Sequence, residues 1–231
     1  MDKNLILFDK SSVLTPQFCN HLVNHFDEDD RKHVGSVGEG RVDNKVKTSV
    51  DLNITDFPEY HNENLRLKKA LDSAMQDYKC LLEEANERIF PFYDCAPGVK
   101  NTGFQIQRTD PGGFYTWHSD EHWYSLYEKE TRTVETYMRG LTYIFYLNDI
   151  TEDGYTEFID GTKIQPKKGY YLIFPSTWTY LHRGYPPKSE TKYIATGWIY
   201  GHKRTNVSEQ QIPPEASDQR PAIFTSSSML K

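Results

Sequence analysis

Hydrophobic periodicity predicts two helices in the first hundred residues. A Thr15–Pro16 pair is typical of a helix start, because threonine caps the first turn and proline fits the first helical position. The apolar stripe that follows contains Phe18, Leu22, Val23 and Phe26. A second stripe, from about residue 62 to residue 88, predicts a longer helix. It contains Leu65, Leu67, Leu71, Met75, Tyr78, Leu82 and Ala85.

From residue 101 onwards the pattern changes to short β-rich runs separated by Gly, Pro and Asp. There are eight such runs: GFQIQRT, FYTWHSD, LTYIFYL, TEFI, TKIQP, YYLIF, TYLHRG and TKYIATGWIY. Eight short strands favour a jelly roll over a parallel α/β sheet. The expected fold is therefore α+β but mainly β, with a double-stranded β-helix (jelly-roll or cupin-like) core and an N-terminal helical layer.

The expected organisation is a single domain over residues 1–205. Residues 1–100 supply helical support and edge strands, with short strands at 5–8 and 46–54, and residues 101–201 form the β-helix core. Residues 206–231 are weakly patterned and are interpreted as an extended arm or a frayed tail.

Charge and cysteine content narrow the function classes. The formal net charge of −6 argues against nucleic acid as a partner, because phosphate binding needs a basic surface. Three widely spaced cysteines without a CxxC pair argue against a zinc ribbon or a disulfide scaffold. The apolar run at 5–8 is too short for a signal peptide or a membrane span, so we expect a cytoplasmic protein with no membrane partner.

The stretch GGFYTWHSDEHW, residues 112–123, carries the candidate metal ligands. On a strand, His118, Asp120 and His122 would point to the same face and could form a local zinc-type site. Alternatively, His118 and Asp120 bind and a third ligand comes from a facing strand, where His182 lies 62 residues after Asp120. Two histidines and one carboxylate are typical of non-haem Fe(II) oxygenases, because they leave three metal positions open. An H-x-D tripeptide by itself also fits a hydrogen-bonded surface pair.

Lys192 is an unusual residue in the apolar run TKYIATGWIY, ten residues after His182. A buried lysine is costly without an anionic partner. Either Lys192 and Thr196 lie on a solvated face, or they await an anionic ligand on a shared buried face.

The order and spacing of these motifs resemble the 2-oxoglutarate/Fe(II)-dependent oxygenase superfamily, and most of all its prolyl 4-hydroxylase-like branch. The resemblance runs from about residue 105 to residue 200. It is carried by QIQRTDPGGFYTWHSD, RGLTYIFYLND, DGYTEF, IQPKKGYYLIFPS, and the distal histidine with its lysine ten residues later and the TGW that follows.

The resemblance implies a set of roles. His118, Asp120 and His182 would bind Fe(II), and Lys192, supported by Thr196, would pair with the distal carboxylate of 2-oxoglutarate. The other cosubstrate candidates are Tyr115, three residues before His118, Arg108 on the preceding strand, and Tyr143.

The chain departs from the branch pattern at two positions. Thr109 stands near the point where the branch often has a tyrosine, which leaves one cosubstrate hydrogen bond without a donor; Tyr143 is a candidate replacement. In DGYTEF the usual pair of glycines is reduced to Gly154.

The implied activity is hydroxylation of a C–H bond with O2, as 2-oxoglutarate is decarboxylated to succinate and CO2; ascorbate would support the iron. The resemblance favours a prolyl residue in a peptide or protein as substrate, with a free amino acid or another small molecule as the alternative.

Three competing hypotheses are a zinc hydrolase using His118, Asp120 and His122, a non-catalytic cupin-like binding module, and an alkylated-nucleobase demethylase. Such demethylases usually use arginine for the cosubstrate carboxylate and need a basic face, so Lys192 and the charge of −6 argue against the last. Oligomeric state is not predicted.

Residues 121–139, EHWYSLYEKETRTVETYMR, are long for a loop between two strands. Long loops at barrel mouths are often functional, so this segment is predicted to be either a lid or substrate-recognition hairpin, or a solvated loop. Trp123, Tyr124 and Tyr127 would be available to pack on an extended substrate chain.

Overall fold

A computed structural model describes residues 5–9, 13–84, 101–128 and 133–205 of the chain. Two α-helices precede most of the strands: α1 spans Pro16–Glu28 and α2 spans His61–Glu84. The strands are β1 Leu7–Asp9, β2 His33–Val34, β3 Val50–Asn53, β4 Gln105–Thr109, β5 Tyr115–His118, β6 Trp123–Glu128, β7 Thr133–Tyr146, β8 Thr156–Phe158, β9 Lys163–Ile164, β10 Tyr171–Pro175, β11 His182–Gly184 and β12 Lys192–Thr205.

The strands form two antiparallel sheets. The major sheet has the order β1-β10-β7-β12-β4-β3-β2, with β6 added beside β7, and the minor sheet has the order β5-β11-β8-β9. An apolar cluster between the sheets includes Ile144 of β7, Phe158 of β8 and Phe174 of β10. This arrangement confirms the predicted jelly-roll core, mainly β, with an N-terminal helical layer.

Strand alternation gives the major sheet two different faces. On β7, Thr142 and Ile144 face the barrel interior, whereas Tyr143 and Phe145 pack into the larger core that includes the helices. Because side chains alternate along a strand, the same alternation recurs on the neighbouring strands. Polar residues can therefore line the barrel interior while the opposite face packs mainly apolar side chains against the helices.

Helix α1 begins as predicted. The Thr15 side chain accepts a hydrogen bond from the backbone N–H of Phe18 at 3.3 Å, and Pro16 occupies the first turn. The buried face of α1 consists of Phe18, Cys19, Leu22 and Phe26, with Val23 packed beside it.

Helix α2 buries most of its predicted stripe but not its first member. Leu67, Leu71, Met75, Tyr78 and Leu82 are buried, whereas Leu65 is 54% exposed. The prediction for Leu65 was wrong because this residue lies two positions before the buried Leu67, which places it roughly 200° around the helix and away from the core. Ala85 lies outside the described residues.

Two strand boundaries differ from the predicted ones. The segment 121–139, predicted to be a lid or substrate-recognition hairpin or a solvated loop, contains strand β6, which pairs with the first part of β7 as an antiparallel hairpin from Trp123↔Met138 to Glu128↔Thr133. Strand β12 continues to Thr205, beyond the predicted core limit of 201, because it pairs with the extended β7 as far as Thr205↔Val134. The predicted tail at 206–231 lies outside the described residues.

None of the helices in the described part of the chain has the length and apolarity needed to cross a membrane.

Candidate active site

Two neighbouring strands of the minor sheet bring the candidate metal ligands together. Strands β5 and β11 pair so that His118 and His182 are direct register partners. Asp120 follows β5 by two residues, and its carboxylate lies between the two imidazole rings. The third candidate ligand, His182, thus comes from the strand that pairs with β5.

The two histidines are oriented so that Nε2 faces Asp120. Nδ1 of His118 is 2.7 Å from the carbonyl oxygen of Thr116, and Nδ1 of His182 is 3.1 Å from that of Tyr180. A carbonyl oxygen can only accept, so each Nδ1 carries the proton and each Nε2 has a free lone pair. This is the tautomer that a metal-binding histidine needs.

The cluster has the spacing and chemistry of a cation site. Nε2 of His118 is 3.6 Å from Oδ1 of Asp120, and Nε2 of His182 is 3.5 Å from Oδ2. The three ligand atoms lie within 4.8 Å of one another. Burial and the neighbouring His182 lower the pKa of His118 to about 3. Burial opposes ionisation of Asp120, but His182, His118 and Arg139 still hold the pKa of its carboxyl below the usual value.

Neutral imidazoles and an ionised carboxylate are the protonation states that bind a divalent cation. The residues present therefore fit Fe(II), with His118, Asp120 and His182 as its ligands. The alternative triad with His122 does not form, because His122 is not in the cluster of ligand atoms within the described residues.

Thr142 supports the carboxylate from the facing sheet. Its hydroxyl donates to Oδ2 of Asp120 at 2.7 Å and lies 2.9 Å from the hydroxyl of Ser176. All three side chains are buried. Sequence reasoning missed this contact, because the threonine lies in the apolar run LTYIFYL and its partner is 22 residues away in the chain.

Lys192 lies inside the barrel in the same cleft as the triad. It is buried, and its Nζ donates to the carbonyl oxygen of Gly154 at 2.8 Å. Burial lowers the pKa of Lys192 to about 8. Among the described residues, no carboxylate forms an ion pair with this ammonium group, so it is available to an anion that enters the cleft.

The partner of Lys192 explains the glycine in DGYTEF. Gly154 has a backbone φ of +64°, a conformation that favours glycine. A Cβ atom there would lie 2.8 Å from Cγ2 of Ile150 and 3.1 Å from Cβ of Pro187. The retained glycine thus keeps the carbonyl that holds Lys192 in position.

Thr196 and Tyr115 also line the cleft. The Thr196 hydroxyl, four residues after Lys192 on the same face of β12, donates to the carbonyl oxygen of Tyr143 at 2.8 Å. The Tyr115 ring stacks on His118, with ring centroids 3.6 Å apart, and burial raises the pKa of Tyr115 to about 12. Tyr115 therefore stays a protonated donor beside the metal ligands.

Two predicted cosubstrate residues lie elsewhere, and those predictions were wrong. Arg108 points out of the barrel, where it forms ion pairs with Asp110 at 3.3 Å and Asp27 at 3.7 Å. Strand alternation explains this, because Gln107 and Thr109 take the inward positions of β4.

Tyr143 also faces away from the cleft. Its side chain is fully buried in the core beneath the major sheet, and its hydroxyl donates to the carbonyl oxygen of Gly103 at 2.5 Å. Gly197 leaves room for this hydroxyl, since a Cβ at Gly197 would lie only 2.3 Å from it. Tyr143 therefore cannot replace the tyrosine missing at Thr109.

A second polar group on the cleft wall was not predicted. Nζ of Lys47 lies 2.7 Å from Oδ2 of Asp51, and the Ser49 hydroxyl donates to Oδ1 of the same carboxylate at 2.8 Å. Both charged side chains are buried. The alternation in VKTSVDL places the three residues on one face, which is the signal that could have revealed them.

Comparison with known families agrees with this geometry. Residues 104–200 match the model of the 2OG-Fe(II) oxygenase superfamily. This range contains the three candidate metal ligands and Lys192. None of the curated protein sequences matches the chain.

Solved prolyl hydroxylases share the fold. A viral collagen prolyl hydroxylase from Paramecium bursaria Chlorella virus 1, in complex with 2OG, superposes with a TM-score of 0.53 and 21% identity over 86% of this chain and 97% of its own. A Trichoplax adhaerens prolyl hydroxylase, in complex with a peptide fragment of the hypoxia inducible factor oxygen degradation domain, superposes with a TM-score of 0.63 and 16% identity. The match covers 86% of this chain and 84% of the Trichoplax chain. A Pseudomonas putida prolyl-4-hydroxylase superposes with a TM-score of 0.52 and 16% identity, over 85% of this chain and 92% of its own.

These comparisons confirm the resemblance to the 2-oxoglutarate/Fe(II)-dependent oxygenase superfamily, with a prolyl hydroxylase-like architecture.

Proposed function

We propose that this protein is an Fe(II)- and 2-oxoglutarate-dependent dioxygenase that hydroxylates a prolyl residue in a peptide or protein. The observation that carries the proposal is the presence, in one cleft, of a His118–Asp120–His182 cluster and a buried cation at Lys192. A metal site alone would suit many functions. A metal site facing an unpaired buried ammonium group calls for a bound anion as well.

The reaction balances as substrate C–H plus O2 plus 2-oxoglutarate giving substrate C–OH, succinate and CO2. One oxygen atom enters the product and the other enters succinate. When bound, Fe(II) supplies the activation of O2, for which three protein ligands leave positions open. His118, Asp120 and His182 hold the iron, and ascorbate would keep it reduced.

The remaining cleft residues bind and orient. Lys192 pairs with the distal carboxylate of 2-oxoglutarate, and Thr196 supports that end of the cleft. The rings of Phe114, Tyr115 and Trp198 line the cleft and limit the entry of water to the reacting atoms. Their contribution is to orient both reactants, which is the main task of the protein when a cofactor carries the chemistry.

The peptide substrate is supported by the architecture and by the hairpin formed by β6 and the first part of β7. One similar structure holds a peptide fragment, and the hairpin follows Asp120 directly along the chain. We propose that this hairpin contacts the substrate chain. A net charge of −6 agrees with a protein or peptide substrate rather than nucleic acid. A cytoplasmic location stays a prediction from the cysteine spacing and from the short apolar run at 5–8.

The experiment that tests the function measures succinate formation with Fe(II), ascorbate and 2-oxoglutarate. A panel of proline-containing peptides is compared with free amino acids, and peptides in which alanine replaces proline are the matched controls. We expect peptide-dependent succinate that requires proline and a product heavier by one oxygen atom. The Asp120→Ala variant should show neither.

Three results would contradict parts of the proposal. Succinate with free amino acids alone would replace the peptide substrate by a small molecule. Anaerobic binding of Fe(II) and 2-oxoglutarate without turnover on any substrate would favour a non-catalytic binding module. Absence of 2-oxoglutarate binding to the iron-loaded protein would defeat the oxygenase assignment itself.

A further inference from the structure

We propose a second metal site, for a zinc-type divalent cation, formed by His21, His25 and Glu63 in the helical layer. The ligand atoms of these three residues lie within 4.8 Å of one another, as do those of the triad in the barrel. The site does not depend on the oxygenase function, because no residue of the cluster lines the barrel cleft.

Two helices bring the three side chains together. His21 and His25 lie four residues apart on α1 and therefore on one helix face. Glu63 lies in the first turn of α2. Nε2 of His21 is 2.8 Å from Oε1 of Glu63, and Nδ1 of His25 is 3.0 Å from the same oxygen. A bound cation would therefore link the two helices.

The acidic ligand and one histidine are held in place by packing. The Glu63 side chain is 7% exposed, although a buried carboxylate is costly without cationic or hydrogen-bonding partners. The His25 ring stacks on Tyr60 with centroids 4.0 Å apart and planes 14° from parallel. The Tyr60 hydroxyl in turn donates to the carboxylate of Asp29 at 3.2 Å. Only His21, with its side chain 61% exposed, is free to adjust.

The three side chains suit zinc both in the type of their ligand atoms and in the distances between those atoms. Two imidazole nitrogens and one carboxylate oxygen are common zinc ligands, and a fourth position can be taken by water because His21 opens to solvent. Tetrahedral bonds of about 2.0–2.1 Å place ligand atoms roughly 3.3 Å apart. The observed separations of 2.8 and 3.0 Å need to open by only a few tenths of an ångström.

Proton balance also permits binding. Without a metal, each imidazole donates its N–H to Glu63, so the proton sits on the nitrogen that faces the carboxylate. When a cation replaces those two hydrogen bonds, each neutral ring takes its other tautomer and presents a lone pair. No proton has to leave the site, and the charge of the cation is partly neutralised by Glu63.

The test compares zinc binding by the full-length protein and by His21→Ala, using titration against a chromophoric chelator. The barrel triad offers the same donor types and is also expected to bind zinc, so the wild-type protein should bind one equivalent more than His21→Ala. The matched control is His61→Ala, which removes an exposed histidine of the same region and should keep the wild-type stoichiometry. Asp120→Ala should lose the barrel equivalent and keep the one that depends on His21.

Thermal unfolding gives a second readout that does not involve activity. Zinc should raise the Tm of Asp120→Ala, because a cation that binds only the folded state stabilises it. The same addition should leave the Tm of the double variant His21→Ala/Asp120→Ala unchanged. Equal zinc stoichiometry in wild type and His21→Ala, or equal Tm shifts in the two Asp120→Ala proteins, would overturn the proposal and leave a hydrogen-bonded cluster. Neither result would bear on the oxygenase function.

Discussion

Lys192 is the residue whose environment says most about the ligand. A lysine that is buried with a carbonyl oxygen as its partner keeps its proton less readily than one in water, and burial lowers its pKa to about 8. An anion at Nζ would reverse this effect. The buried ammonium group therefore suits an anionic ligand, because no carboxylate of the described residues pairs with it.

Replacing Lys192 by alanine should weaken 2-oxoglutarate binding about ten- to a hundredfold, because a charge-assisted hydrogen bond in a buried site is worth roughly 1.5–3 kcal/mol. Iron affinity should stay unchanged, since the metal ligands are untouched. Anaerobic titration of the iron-loaded protein measures both constants. Lys188→Ala, at a lysine whose side chain is 67% exposed, is the matched control and should behave as wild type. Equal 2-oxoglutarate affinity in Lys192→Ala would remove this residue from the site.

The affinity for 2-oxoglutarate should also fall as pH rises through about 8. Below that pH Lys192 is charged in the ligand-free protein, and at pH 9 only about one molecule in ten still carries the charge. Affinity at pH 9 should therefore be roughly tenfold lower than at pH 7. Lys192→Arg, which stays charged over this range, should show a flat profile whatever its absolute affinity.

The lowered pKa of Lys192 also affects the stability of the ligand-free protein, and here the dependence on pH has the opposite sign. The folded pKa lies below the unfolded value, so between about pH 8 and 10.5 the unfolded chain binds more protons. In this window the contribution of Lys192 to the free energy of unfolding rises with pH.

Thr142 acts on the metal through Asp120. Its hydroxyl fixes one carboxylate oxygen at 2.7 Å, and groups in such positions commonly change metal affinity by 10–100-fold. Thr142→Ala should therefore weaken Fe(II) binding by about that factor. Thr142→Ser keeps the hydroxyl and should retain most of the affinity, as measured by competition with a chelator. If alanine and serine weakened binding equally, the loss would reflect packing rather than the hydrogen bond.

At the scale of elements, the hairpin of β6 and the first part of β7 carries the proposed substrate contact. It begins at Trp123, three residues after Asp120, and pairs from Trp123↔Met138 outwards. Strand β12 runs beside it as far as Thr205. The hairpin is thus a continuation of the major sheet, so it can present a formed strand to an extended peptide.

Shortening this hairpin should separate substrate binding from cosubstrate chemistry. In the proposed variant an Asn–Gly turn replaces residues 125–136, which keeps the pairs Trp123↔Met138 and Tyr124↔Tyr137 and supplies the turn that two-residue hairpins favour. Peptide-dependent turnover should fall at least severalfold because the substrate contact is lost. The slow decarboxylation of 2-oxoglutarate without peptide should continue. Unchanged peptide turnover in the folded variant would exclude the proposed contact.

At the scale of the whole molecule, the larger apolar core and the candidate cleft lie on opposite faces of the major sheet. One face packs on α1 and α2 in the larger apolar core, and the other lines the cleft. Leu71 belongs to the first face and is 3% exposed, whereas Leu65 on the same helix is 54% exposed.

Leu71→Ala should therefore lower the free energy of unfolding by about 2–5 kcal/mol, since it leaves a cavity in the core. Leu65→Ala should change it by no more than about 0.5 kcal/mol. Denaturant unfolding monitored by circular dichroism measures both. Neither variant should alter 2-oxoglutarate affinity while folded, and a large loss of stability in Leu65→Ala would contradict the observed orientation of α2.

The sequence by itself determined the elements and the ligand types, because both depend on short-range patterns. The period of apolar residues predicted α1, α2 and most of the strands, and the order of the motifs carried the family resemblance that implied His118, Asp120 and His182 as metal ligands and Lys192 as the anion partner.

The tertiary structure decided which side of each strand faces the cleft. Arg108 and Tyr143 are one residue away from inward positions, and a shift of one residue moves a side chain to the opposite face. The contact between Thr142 and Asp120 joins the two sheets, and the contacts of His21 and His25 with Glu63 join the two helices. Such contacts depend on how elements pack, which residue spacing along the chain does not specify.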